Sequence, residues 1–224
     1  MDNYKKVEPG SPYALPIAKA GLPFVGIAAF ATAVFALLGL ACLALTGLAA
    51  TFFICFFFRD PDRLIPDKDS VVVSPADGKV IKVENVGKGR FYDTDCLKVS
   101  IFMSIFNVHV NRIPFSGEIT KVAYFPGKFF SANLDKASSD NEHNAVFLKT
   151  DQGREMCFVQ IAGLVARRII CHIQEGQNVI RGQRFGLICF GSRLDVYLPA
   201  DTDIAVKVGD RVSAGTSVLG ELPI

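Results

Sequence analysis

The sequence predicts a mainly β, barrel-sandwich-like domain preceded by an N-terminal transmembrane helical hairpin. Three observations lead there. An apolar run without a single charge extends from Gly21 to Phe58. From about Val71 onward, short β-branched and aromatic runs alternate with glycine or Asx punctuation, as in KVIKVENV, CLKVSIFMS, EITKVAYF, MCFVQIAG and LDVYLP. Finally, EGQNVIRG (Glu175 to Gly182) and VGDRVSAG (Val208 to Gly215) share Gly-x-x-Val-x-x-Gly at an offset of 33 residues, each reading as a turn, one buried valine and a second turn.

The chain has 224 residues, enough for one domain with a substantial core. Half the residues are hydrophobic and mean hydropathy is +0.32, an excess that is local rather than general. Residues 1–20 form an N-terminal tail. Residues 21–58 form the membrane segment, because an apolar run beyond about 18 residues reads as membrane-spanning. As one helix rising about 1.5 Å per residue it would be nearly twice as long as the hydrocarbon core is thick. Two helices turning near Leu38-Gly39 or Thr46-Gly47 fit better, with a buried hydrophobic helical pair as the alternative. Lysines 5, 6 and 19 precede the run and Arg59, Arg63 and Lys68 follow it, so charge does not choose an orientation. The run is too long for a cleaved signal peptide. Residues 59–70, rich in charge and proline, read as a linker at the membrane surface, and residues 71–224 as the β-rich domain.

A net charge of +2 gives no basic field and no case for nucleic acid. Six cysteines lie scattered without C-x-x-C spacing. That usage fits reduced, structural thiols on the cytosolic side of a membrane and offers neither a disulfide framework nor a metal site.

Chemistry has few places to sit. In LICFGSRLDVYLP (Leu187 to Pro199) the pair Gly191-Ser192 interrupts an apolar strand, and a glycine there weakens the strand unless the backbone needs its freedom. His109, in FMSIFNVHVNRIP, stands at a strand end, where either a catalytic group or a hydrogen-bonded loop histidine would lie. His172 alternates with hydrophobic residues in RRIICHI and reads as a barrel histidine, whereas His143 in SSDNEHN is ambiguous. Asp77 in SPADGKV has the look of a turn aspartate. Together Asp77, His109 and Ser192 supply the acid, base and nucleophile types that an activated hydroxyl requires. A membrane-tethered Ser-His-Asp hydrolase would use the same set, although Ser192 lacks the Gly-x-Ser-x-Gly elbow. The echoed Gly-x-x-Val-x-x-Gly turns resemble those of biotinyl and lipoyl carrier modules, and Lys136 in Leu134-Asp135-Lys136-Ala137 superficially resembles a lipoylation site.

The segments FFRDPDR, SPADGKV, FMSIFNVHVNRIP, YFPGKFF, LDKASSDNEHN and VQIAGLVARRI, followed by GQRFGLICFGSRLDVYLP, occur in the order and spacing of the short, membrane-attached phosphatidylserine decarboxylases, which this chain resembles. The resemblance covers nearly everything from Phe57 to Pro199, and the Gly-Ser pair is its most diagnostic part. It implies a proenzyme in which Ser192 attacks the carbonyl of Gly191 and cuts the chain, leaving fragments 1–191 and 192–224 associated as a heterodimer, with higher oligomers open. By the same resemblance the serine becomes a covalent pyruvoyl cofactor that forms a Schiff base with phosphatidylserine and, after loss of CO2, leaves phosphatidylethanolamine. A related serine phospholipid is an equally compatible substrate.

The resemblance also implies His109 as proton donor, and at two positions the chain departs from the family pattern. Longer bacterial relatives carry a second histidine where this chain has Arg112, a residue suited to a substrate carboxylate or phosphate. The usual Asn-Glu-Arg is here Asn141-Glu142-His143, which would make an anionic contact pH-dependent. The expected location is the inner or cytoplasmic membrane with the catalytic domain in the cytosol. Aromatic residues near the interface, Phe56, Phe57 and Phe58 together with Phe129 and Phe130, are candidates for partial immersion, with core packing the equal alternative for the latter pair.

Overall fold

The computed structural model describes residues 4–5, 16–132, 140–164, 168–189 and 191–223. Lys136 lies outside the described residues. The chain divides into two compact units, one of residues Gly10–Asp62 and the other of Met1–Pro9 with Arg63–Ile224.

In the smaller unit a short 3-10 turn, Lys19–Gly21, leads into helix α1 (Leu22–Leu37), with Pro23 in the first turn, where its missing N–H costs nothing. The helix ends at Leu38–Leu40, where Gly39 takes φ +72°, and α2 (Ala41–Phe57) follows. None of the residues of α1 is buried in protein, so a helix apolar on all sides presents itself outward. Lys19–Leu37 is long and apolar enough to cross a bilayer, and Ala41–Phe57 is a shorter apolar helix. The two helices pack closely at Gly47, where a Cβ would fall 2.6 Å from Thr32 Oγ1. The Thr32 and Thr51 hydroxyls lie 3.4 Å apart, and each donates to the carbonyl four residues back, so no polar hydrogen is stranded in apolar surroundings.

The larger unit is built of strands. In chain order they are β1 (Tyr4–Lys5), β2 (Ile65–Pro66), β3 (Val71–Val73), β4 (Gly78–Val86), β5 (Cys96–Met103), β6 (Val110–Arg112), β7 (Gly117–Phe125) and β8 (His143–Lys149). They continue with β9 (Glu155–Ala162), β10 (Ile169–Cys171), β11 (Asn178–Val179), β12 (Arg184–Ile188), β13 (Ser192–Pro199), β14 (Asp203–Ile204), β15 (Arg211–Val212) and β16 (Val218–Glu221). An eight-stranded antiparallel sheet has the order β11-β7-β8-β9-β13-β5-β4-β15, and two three-stranded sheets, β10-β12-β6 and β14-β16-β3, complete the enclosure. The main core fills the interior between these three sheets, through residues such as Val72, Ile101, Leu148, Phe158, Phe185, Leu194 and Leu219, and a second cluster including Phe91, Ala145, Val159 and Ile161 lies on the other face of the large sheet. The mainly β, sandwich-like expectation therefore describes the observed architecture.

The echoed turns mark an approximate internal twofold. β11 pairs with the start of β7, and β15 with the start of β4. Ile119 and Val80 donate to Gln177 and Asp210, and Gly176 and Gly209 donate back to Ile119 and Val80. Gly182 and Gly215 close the turns at φ +83° and +76° and bond to the carbonyls of Ile113 and Ser74. Both host strands carry a bulge at the matching place, between Val80 and Lys82 and between Ile119 and Lys121. In each half a glycine, Gly78 or Gly117, lies so near a neighbouring carbonyl that a Cβ would sit 2.3 Å from it.

Candidate active site

Ser192 opens β13, the strand between β5 and β9 in the large sheet. Register pairs it with Met103 on one side and Ala162 on the other, and all three face the main core. Its side chain is fully buried, and Oγ has no hydrogen-bond partner among the described residues. A buried hydroxyl left in this state is a destabilising feature of the fold by itself. Gly191 just before it has φ +71°, a conformation that an L side chain would strain. The Gly191 carbonyl lies directly over Gly163, whose absent Cβ would have been 2.1 Å from that oxygen. The positive φ of Gly191 and the missing Cβ of Gly163 together let the carbonyl take this position.

His109 is 1% exposed and precedes β6, and its carbonyl accepts the N–H of Ile188 at 3.4 Å. Ile188 ends β12, three residues before Gly191, so the histidine backbone is tied to the strand that delivers the Gly191-Ser192 link.

Asp77 has other commitments. Its carboxylate accepts the Ala214 N–H at 2.7 Å and pairs with the Arg63 guanidinium at 2.8 and 3.1 Å. The twofold gives the reason, since Ser116 accepts the Arg181 N–H at 3.0 Å in the equivalent turn. Arg112 is also drawn to this region: it donates to the Gly182 carbonyl at 2.8 Å, and its Cδ lies against Gly215. Asp77 and Arg112 thus both bear on the turn at Ala214 and Gly215.

Asn141 is fully buried and acts as a clamp. It donates to the carbonyls of Phe130 and Ala162 at 2.8 and 2.7 Å and accepts the Phe130 N–H at 2.8 Å. Ala162 is the register partner of Ser192, so the clamp holds the strand end beside the serine. Glu142 lies opposite Ala162, bonded through its carbonyl to the Ala162 N–H, and its carboxylate interacts with the Tyr124 hydroxyl. His143 is brought to the other side. It pairs with Ile161, one residue out of phase with Ala162, and therefore projects from the sheet face opposite Ser192. There it stacks on Phe125 at 4.8 Å, meets Phe91 edge-on at 5.7 Å, and has Nδ1 2.6 Å from the Asn141 carbonyl. Burial holds its pKa below the usual histidine value, helped by the Arg90 cation and opposed by the Asn141 contact.

Sequence reading missed two polar groups. On the Ser192 face, Gln160 donates to Asn111 at 2.9 Å and accepts from Asn144 at 3.2 Å, a buried amide ladder inside the core. A signal for it exists in the sequence: Gln160 falls in phase with the core residues Met156, Phe158 and Ala162. On the opposite face, Arg193 and Asp195 are both fully buried, forked at 2.5 and 3.1 Å, with Ser100 at 2.9 Å and Lys98 at 3.4 Å. Such an ion pair sits badly on the apolar face, so it resists the one-residue slip that would turn Ser192 out of the core.

An orphaned buried hydroxyl, joined to a carbonyl held by two glycines, fits the precursor of a group made from the chain itself. A family model described as phosphatidylserine decarboxylase matches residues 50–220. The chain is 48% identical over 208 residues to the phosphatidylserine decarboxylase proenzyme of Desulfotalea psychrophila, covering 93% of this chain and 97% of the relative. It is 51% identical over 206 residues to the one from Syntrophus aciditrophicus, with 91% and 96% covered, and 50% identical over 208 residues to the one from Geotalea uraniireducens, with 93% and 97% covered. A match to the family model over most of the chain, together with relatives near half identity along nearly their whole length, makes this chain a member of the phosphatidylserine decarboxylase family.

Proposed function

We propose that the chain is the proenzyme of a pyruvoyl-dependent phosphatidylserine decarboxylase that cuts itself between Gly191 and Ser192. The observation that carries this is the unpartnered, buried Ser192 Oγ next to a carbonyl seated on Gly163. Attack of Oγ on the Gly191 carbonyl carbon closes a five-membered ring. Its collapse breaks the C–N bond, leaving an ester at Oγ and a free amine on Ser192. Removal of the Ser192 Cα proton expels the Gly191 carboxylate and leaves dehydroalanine, and water then replaces the nitrogen, which departs as ammonia. Glycine at 191 keeps the attacked carbon unshielded. Cleavage leaves residues 1–191 and 192–224 interleaved, because β13 lies between β5 and β9 of the other fragment.

The pyruvoyl group so made supplies a ketone that condenses with the substrate amine and takes up the electrons left when the carboxylate departs as CO2. His109, buried beside the strand leading to the site, is the proton carrier for this chemistry. Asn141 and Glu142 serve by holding the end of β9 against Ser192, and Arg112 and Asp77 by fixing the turn at Ala214 and Gly215. Residues 21–58 form the membrane segment and keep the enzyme at the inner membrane beside its lipid substrate, with the catalytic domain in the cytosol.

Intact mass of the purified protein is the test. Two fragments, the shorter beginning with a residue that lacks the serine nitrogen, are expected for the natural chain, and one uncut, inactive chain for Ser192→Ala. An uncut natural chain that hydrolyses external esters would establish the hydrolase instead.

A further inference from the structure

We infer that the β domain itself touches the bilayer, in addition to the apolar helices, through a rim formed by Ile105, Phe106 and Leu164. The inference rests on the lipid-decarboxylase reading. Register places the three residues at one end of the sheet: Ser192 pairs with Met103 and Ala162, so the chain just past each partner, at 104–106 and 163–164, flanks the Gly191-Ser192 link. At these tips Ile105 is 38%, Phe106 64% and Leu164 62% exposed.

The first tip is built rather than frayed. Asn107 Oδ1 accepts the Ser104 N–H at 2.9 Å and the Ser104 hydroxyl at 2.7 Å, and the Asn107 N–H returns to the Ser104 carbonyl at 3.0 Å. The polar turn chemistry closes this tip without calling for large apolar side chains at its apex, yet Ile105 and Phe106 stand exposed there. The same connection runs on through Val108 to His109, which links the tip to the proposed proton carrier.

Substrate chemistry selects the occupant. A diacyl lipid keeps its chains in the hydrocarbon while its amine and carboxylate reach the reactive residue, so the bilayer must lie against the sheet end where Ser192 begins β13. Arg168 is exposed at this end, its carbonyl bonded to the N–H of Cys189, two residues before Gly191. A cation beside apolar tips complements an anionic lipid surface.

The chain contains no tryptophan, so Phe106→Trp is a sole reporter. Gln152→Trp serves as the control, since it is exposed in the β8–β9 turn at the far end of β9 from Ala162. Each full-length variant would be placed in vesicles of dibrominated phosphatidylcholine and phosphatidylglycerol. Relative to unbrominated vesicles, emission from position 106 should fall by more than about half and that from position 152 should hardly change, given interfacial burial on the acyl-chain scale. Phe106→Asp should raise the ratio of KM for bilayer substrate to KM for a short-chain soluble analogue by about fivefold or more. Equal quenching at both positions, or an unchanged KM ratio, overturns the inference. So does an emission at 106 that depends on protein concentration rather than on lipid, which would assign the rim to a second copy of the chain. Failure of the decarboxylase reading is seen separately, as a natural chain that stays uncut.

Discussion

The carbonyl oxygen of Gly191 rests so closely on Gly163 that a methyl group added at 163 would sit 2.1 Å from it. Gly163→Ala must therefore displace the carbonyl that Ser192 attacks. Self-cleavage is expected to slow about tenfold or more, equivalent to about 1.4 kcal/mol of barrier, while activity per cleaved chain stays close to that of the parent because the freed Gly191 carboxylate is able to move away. Time-resolved denaturing gels give the first quantity and titration of pyruvoyl ends the second. Parallel loss of both would make Gly163 a general support of the fold.

Asp77 and Ser116 perform the same capping task in the two halves, but only Asp77 is also shown pairing with an arginine. In an uncut Ser192→Ala background, Ser116→Ala should cost about 1 kcal/mol and Asp77→Ala about 2–3 kcal/mol, since the latter also gives up a charge-assisted bond. Urea unfolding measures both. Equal costs would remove the Arg63 pair from the account, and, in the chain with Ser192 intact, cutting slowed by Asp77→Ala beyond what the stability loss explains would assign Asp77 the role of orienting the base.

Arg193 and Asp195 are buried together, so each single substitution leaves the other's buried charge without this forked partner. Asp195→Leu should cost about 3–5 kcal/mol. Arg193→Met should cost less, because Lys98 remains 3.4 Å from Asp195. The double variant should fall short of the sum by more than about 1 kcal/mol. Strict additivity in denaturant titrations would show that the two act independently.

His143 ties stability to acidity. Its folded pKa is below the unfolded value of about 6.5, so below that pH the unfolded chain takes up a proton that the folded one refuses. The contribution is complete above about pH 6.5 and is lost as pH falls from there toward the folded pKa. His143→Phe should flatten this part of the profile while keeping the stack on Phe125. Urea midpoints between about pH 5 and 8 decide it, and parallel profiles would place the titrating group elsewhere.

Much of the architecture is legible in the order of residues. Composition alone locates the apolar segment, because about twenty or more uncharged residues in a row have few uses in water. Period-two alternation and turn glycines identify a β domain, and the glycine before Ser192 singles out the reactive link by its cost to a strand. The second half of the internal echo, Pro75 to Val83 against Pro114 to Val122, is written in the chain as well, yet its meaning emerges only when Gly78 and Gly117 are seen against neighbouring carbonyls.

What the linear order does not express is side and partner. The adjacent letters Glu142 and His143 have opposite destinations, since one step along the chain beside β9 reverses the face, and which face meets Ser192 follows from register with Ala162 and Ile161. Likewise Asp77 can be matched by type with any base in the chain, but its partners, Arg63 and Ala214, are chosen by packing two echoed turns around a common axis. Residue identity fixes which chemistry is available to a chain. Long-range strand pairing sets which of those groups come within reach of one another, because contact depends on distances that close only when the whole sheet has formed.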